Sequence, residues 1–171
     1  MRLFHISEED NIEIFIPRIP LREDMDKNVG LVWAVDEKRL PNFLLPRDCP
    51  RVCYHIGEHT NENDKAEFFT SSSTSHVVVV EHGWVERILN TTLYRYEFLT
   101  DDFKLQDSVA GYWVAKTEQR PVEKVEITNL LSELAKYNVE LRIVDELLTI
   151  AQRVKSSTLN WSLCRMRNAT I

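Results

Sequence analysis

The sequence predicts an α+β fold: mostly antiparallel strands in two small sheets around a cleft, with three or four helices. Three observations lead there. Apolar stretches of strand length, about eight in all, follow one another with few helical patterns between them. The 171 residues are 43% hydrophobic and 28% charged, without repeat, low-complexity tract or Pro/Gly linker, which fits a single domain over residues 1–171. The chain has only four glycines and neither a G-x-x-x-x-G-K-[ST] nor a G-x-G-x-x-G run, which excludes the phosphate loops of a doubly wound sheet.

Arg2 to Ile6 is a short apolar segment, and Ile12, Ile14 and Ile16 alternate until Pro17, so both read as strands. Leu21 to Gly30 carries charges of both signs and ends at glycine, as a connection does. Leu31 to Val35 reads as a buried strand closed by Asp36, and Pro41 confines any helix over Glu37 to Leu45 to a first-turn position. Pro46 to Pro50 is turn chemistry, after which Val52 to Ile56 resumes as a strand. Gly57 to Ser75 is a polar loop in which Ala66, Phe68 and Phe69 pin one helical turn. The valine run Val77 to Val80 requires an interior strand.

Val85, Ile88 and Leu89 fall on one helical face that Asn90 stops. In Leu93 to Phe98, Tyr94, Tyr96 and Phe98 share a packed face. Ala110 to Ala115 and Val122 to Ile127 are further strands. Thr128 then caps a helix whose Leu130, Leu131, Leu134 and Ala135 face the core. Val139, Leu141 and Ile143 alternate as a strand, and Asp145 caps a last helix carrying Leu147, Leu148, Ala151 and Val154. In the tail, Leu159 to Ile171, the i, i+2 spacing of Arg165 and Arg167 puts both on one face of a strand.

Lys and Arg number 21 against 27 Asp and Glu, a formal charge of −6, so bulk nucleic-acid coating is excluded while a local basic cleft is not. No apolar run approaches the roughly 20 residues that span a bilayer. The opening MRLFHISEED meets acid early and lacks an apolar core, unlike a signal peptide. Three cysteines, an odd number, point to a reducing cytoplasm. Cys49 and Cys53 have His55 nearby but no obvious fourth ligand, so buried thiols are expected there and no metal. Ser71-Ser72-Ser73 lacks the G-x-S-x-G elbow of a serine hydrolase.

His5 and Ser7 stand two apart on one strand face, so an imidazole nitrogen and a hydroxyl can meet one ligand, such as two ribose hydroxyls or a carboxamide. The competing reading is an ordinary, satisfied histidine near a chain end. Arg18, Arg47, Arg51, Arg165 and Arg167 lie beside prolines or in a pair. Guanidinium forks grip oxyanions, so these can converge on a phosphate-bearing ligand, or else be solvated. His82, at a strand-to-helix junction, meets substrate or caps the helix. Trp33 and Tyr112 either stack on a ligand or pack in the core.

Leu3-Phe4-His5-Ile6-Ser7, Phe15-Ile16-Pro17-Arg18 and Gly30-Leu31-Val32-Trp33-Ala34-Val35-Asp36 together resemble a family of small uncharacterised bacterial proteins over most of the chain. The N-terminal half is also similar to the ADP-ribosyltransferase-like fold. There a hydrophobic-His-x-Ser/Thr strand meets nicotinamide and its ribose, a G-hydrophobic-Tyr-Phe-Ala strand stacks on the ring, and a third strand supplies a catalytic Glu. The resemblance assigns His5 and Ser7 to the first strand and Gly30, Leu31 and Ala34 to the second. Val32 stands where the stacking Tyr belongs, with Trp33 one residue out of phase. Ala110-Gly111-Tyr112-Trp113-Val114 aligns with the third strand without a Glu, which implies weak or absent transfer. The resulting expectation is a cytoplasmic protein that holds NAD or ADP-ribose on His5, Ser7, Arg18 and Tyr112. A carboxylate such as Glu97 or Glu81 facing His5 would favour an enzyme. The alternative is a non-enzymatic module that binds a ligand or a protein segment.

Overall fold

The computed structural model describes residues 1–20 and 25–170. In chain order its strands and helices are β1 (Leu3–Ser7), β2 (Val32–Asp36), β3 (Arg51–His55), α1 (Glu62–Phe68), β4 (His76–Glu81), α2 (Val85–Asn90), β5 (Leu93–Phe98), β6 (Lys104–Asp107), β7 (Tyr112–Ala115), β8 (Glu123–Ile127), α3 (Leu130–Leu134), β9 (Glu140–Val144), α4 (Leu148–Lys155) and β10 (Asn160–Cys164). The fold is α+β, as expected, with ten strands in two sheets and four α-helices among the described residues. Two compact units form, each from two stretches of chain: Met1–Leu40 with Thr92–Ile127, and Pro41–Thr91 with Thr128–Ile171.

The first unit is a six-stranded antiparallel sheet in the order β6-β7-β2-β1-β5-β8. Leu3 and Phe4 of β1 are both fully buried although they point to opposite faces, as a middle strand requires. On the Leu3 face, Ala34, Tyr96, Phe98, Phe103 and Ala115 surround Phe15. The Phe15 ring meets Tyr96 at 5.2 Å and Phe98 at 5.0 Å, both edge to face. Gly111 turns the chain into β7 at φ 69°, and a Cβ there would come within 2.9 Å of Asp36 Oδ1 and 2.6 Å of the Arg39 side chain, so glycine is required.

The second unit is a four-stranded sheet in the order β10-β3-β4-β9. Its valine strand β4 lies inside the sheet, antiparallel to β3 and parallel to β9. Val52, Tyr54, Val77 and Val79 on one face pack with Phe68 of α1 and with Leu147, Ala151 and Val154 in and beside α4. The other face carries Arg51, Cys53, His55 and His76, all buried. Cys49 and Cys53 are buried free thiols, as the sequence implied.

Several local expectations change. The Ile12 to Ile16 stretch makes a single bridge, Phe15 to Gln119, because it leaves the sheet edge and crosses the Leu3 face with Phe15 plugged beneath it. Asn129, not Thr128, caps α3, its Oδ1 accepting from the Ser132 N–H at 2.9 Å. At α4 the Glu146 carboxylate, not Asp145, accepts from the Thr149 N–H. Arg165 and Arg167 lie beyond β10, Arg165 in a left-handed conformation at φ 54° and Arg167 in the 3-10 turn Met166–Asn168, so they do not share a strand face. The expected connection from Leu21 falls partly outside the described residues, as does Ile171.

Candidate functional site

Directly opposed residues on neighbouring strands point to the same face of a sheet. In the first unit β1 pairs His5 with Tyr96 and Ser7 with Tyr94, and β5 pairs Tyr96 with Lys124 and Tyr94 with Glu126. Two parallel rows result, His5–Tyr96–Lys124 and Ser7–Tyr94–Glu126, on one face across three strands.

The polar atoms of these rows are individually placed. His5 Nδ1 lies 3.0 Å from the Trp33 carbonyl oxygen; a carbonyl only accepts, so Nδ1 carries a proton. The half-buried imidazole leans on Phe15, with ring centres 4.8 Å apart. Ser7 Oγ accepts the Glu9 N–H at 3.0 Å. The Tyr96 hydroxyl donates to the Glu9 carbonyl at 2.6 Å and accepts the Ile12 N–H at 3.3 Å. Burial raises the Tyr96 phenol, with Asp10 and Glu9 adding to it, so it remains a donor at neutral pH. Lys124 Nζ donates to the Asp10 carbonyl at 2.6 Å and stands 5.5 Å from the centre of the Tyr94 ring. The Tyr94 hydroxyl points to Glu126 Oε1 at 3.4 Å. Beside the rows, residues 10–13 and 120–124 wall an open hollow of about 700 Å³ over Tyr96.

Of the other residues singled out from sequence, the first unit also holds Arg18, Trp33 and Tyr112. Arg18 is exposed, and its backbone bridges Leu31 in both directions. Trp33 and Tyr112 meet edge to face at 5.3 Å. The β1–β2 and β2–β7 registers put them on the opposite side of the sheet from His5 and Ser7. Glu97 is also on that opposite side, paired with Phe4, and its carboxylate takes the Arg2 guanidinium, which holds it below the usual range.

Arg47, His82, Arg165 and Arg167 lie in the second unit. Arg165 Nε donates to the Arg47 carbonyl at 3.2 Å. His82 caps no helix; it is exposed at the end of β4, with Nε2 4.0 Å from Asp145 Oδ1 at the end of β9. Glu81 is 2% exposed and spends its carboxylate on the N–H groups of Leu147 and Thr170 and on the Thr170 hydroxyl. Neither Glu97 nor Glu81 therefore shares the face of His5 in the first unit's sheet. Asp36, opposite Leu3, does, although its Oδ1 accepts the Arg39 N–H at 3.0 Å, and so does Glu126, which sequence reasoning passed over together with Tyr96 and Lys124. Its only signal was the charged alternation Lys124, Glu126 along the last strand of the sheet.

Among the described residues no three His, Cys, Asp or Glu side chains group to hold a metal ion, and no helix is long and apolar enough to cross a membrane. The chain belongs to a family of unknown function, DUF6886, whose model matches residues 4–169. No curated protein and no solved structure matches it.

Proposed function

We propose that the first unit binds a nucleotide-like small molecule, NAD or ADP-ribose, on the face that carries His5 and Ser7. The observation that supports this reading is the pair of rows His5–Tyr96–Lys124 and Ser7–Tyr94–Glu126 beside the open hollow of about 700 Å³. That volume lies within the range of small-ligand sites, roughly 300–1,000 Å³. His5, its ring oriented by the Trp33 carbonyl, is the residue we assign to a ribose hydroxyl. Arg120 and Lys124, in the wall of the hollow, supply cations for a diphosphate. The reading is one of binding, in line with the similarity of the N-terminal strands to the ADP-ribosyltransferase-like fold without its third-strand Glu. Glu126 is the group on which glycosidic chemistry would depend, because it is a strand carboxylate on the His5 face in the row beside His5, whereas Asp36, opposite Leu3, holds the Arg39 N–H.

Calorimetry with NAD, ADP-ribose and AMP on the wild type and His5→Ala tests it. Saturable heat with at least one of them, weakened about tenfold or more by His5→Ala, is expected for a lost ligand hydrogen bond in a desolvated site. Absence of heat with all three removes the nucleotide reading. Release of nicotinamide from labelled NAD, abolished by Glu126→Gln, would make the protein an enzyme; a flat time course leaves a binding module.

A further inference from the structure

A second feature, in the other unit, does not depend on the nucleotide reading. At one end of the β3–β10 pair the segments 46–51 and 164–168 are fastened together: Arg165 Nε donates to the Arg47 carbonyl, Asn168 Nδ2 donates to the Asp48 carbonyl at 2.7 Å, and Cys164 pairs with Arg51 across the strands. Four arginines, 47, 51, 165 and 167, thereby stand on two adjoining segments of a chain whose formal charge is −6. Asp48 is the one acid in those two segments.

Arg51 is 5% exposed; its Nη1 donates to the Cys49 carbonyl at 2.8 Å and its guanidinium lies 5.6 Å from the centre of the Phe43 ring. Its Nε is buried without an acceptor among the described residues. Among the described residues no carboxylate stands within 4.0 Å of the guanidinium of Arg51, Arg165 or Arg167. The neighbouring thiols do not supply the missing negative charge, because burial pushes Cys49 up to about 11 and raises Cys53 as well. A buried cation with an unmade hydrogen bond is costly unless an anion meets it. Arg165 also holds a left-handed backbone that a residue with a Cβ adopts at a cost, immediately before the turn that carries Arg167.

We propose that this end of the second unit is an oxyanion site for a phosphate-bearing small molecule, with Arg165 and Arg167 gripping the anion beside Arg47 and Arg51 supplying positive charge from beneath. Planar guanidinium forks match phosphate oxygens two at a time, which suits a diphosphate better than an isolated halide. The net negative charge of the chain argues against a nucleic-acid backbone as the occupant.

The test is calorimetry of inorganic pyrophosphate with the full chain in chloride buffer, on the wild type, Arg165→Ala/Arg167→Ala, Arg167→Ala and, as a control that removes an exposed cation elsewhere, Lys155→Ala, each checked by circular dichroism. Saturable binding to the wild type, at least tenfold weaker in the double variant, severalfold weaker in Arg167→Ala and unchanged in Lys155→Ala, is the expected pattern. Arg167→Ala alone keeps the test if the double variant fails to fold, since among the described residues its exposed side chain makes no bond. No saturable heat, equal binding by the arginine variants, or an equal loss in Lys155→Ala overturns the proposal. A single-stranded oligonucleotide that binds far more tightly than pyrophosphate, with the same arginine dependence, replaces the small ligand by nucleic acid and overturns it too.

Discussion

Tyr96 shows how one residue sets the geometry around the first unit's candidate site. Its ring packs under Phe15 while its hydroxyl ties down both Glu9 and Ile12, so the segment that walls the hollow is anchored to the middle of β5. Tyr96→Phe keeps the ring and removes both bonds. Stability should fall by about 1–3 kcal/mol in denaturant unfolding, the usual cost of stranding buried polar partners. Cys49 and Cys53 make a second residue-scale prediction: with Cys49 pushed up to about 11 by burial and Cys53 fully enclosed, both should resist Ellman's reagent at pH 8 until the protein unfolds, while Cys164 is the thiol with exposure to react. At this scale the site was half legible. Strand alternation alone placed His5 and Ser7 together, and the one-residue offset of Trp33 correctly put it on the other face. Lys124 and Glu126 were not legible, because which residue stands opposite Tyr96 or Tyr94 depends on the β5–β8 register, and no local pattern encodes that.

Elements with a strong local signal were read correctly from sequence. The valine run gives β4, the alternating aromatics give β5, and α1 falls in the polar loop around Phe68. β6 was missed because Lys104, Leu105 and Gln106 are exposed and nothing but pairing with β7 holds them in a strand. The Ile12 to Ile16 alternation misled for the opposite reason, its apolar side chains serving to cover a sheet instead of joining one. The parallel β4–β9 pair lay beyond any local reading, since its partners are separated by α2, four strands and α3. One element-level prediction concerns α1, where the Asp64 carboxylate accepts from both the backbone N–H and the hydroxyl of Thr158 and is held below the usual carboxylate range by them. A lowered folded value means that the carboxylate stabilises the native state above the unfolded value near 4 and that this contribution is lost as pH falls through the folded value. Asp64→Asn should therefore lower the melting temperature at pH 7 and differ progressively less from the wild type below about pH 4.

Over the whole molecule, the two units are interleaved in sequence, because the chain leaves the first at Leu40, returns at Thr92 and leaves again at Ile127. A chain ending at Ile127 retains every strand of the six-stranded sheet but loses β9 and β10, both edges of the other. What is left of the second sheet is the β3–β4 hairpin, and two strands seldom hold in water. Such a truncation should lose the protease resistance of residues 41–91 while residues 1–40 and 92–127 keep theirs, readable by mass spectrometry of a timed digest. The α+β class followed from the count and order of strands, whereas the assignment of each stretch to a unit depends on pairings as distant as Leu3 with Phe98. The central claim is that the His5 face of the first unit holds a nucleotide-like ligand. Its most direct measurement is a calorimetric titration of ADP-ribose into the full chain beside His5→Ala: saturable binding that the substitution weakens about tenfold or more is predicted, and heat identical in the two proteins, or none in either, contradicts it.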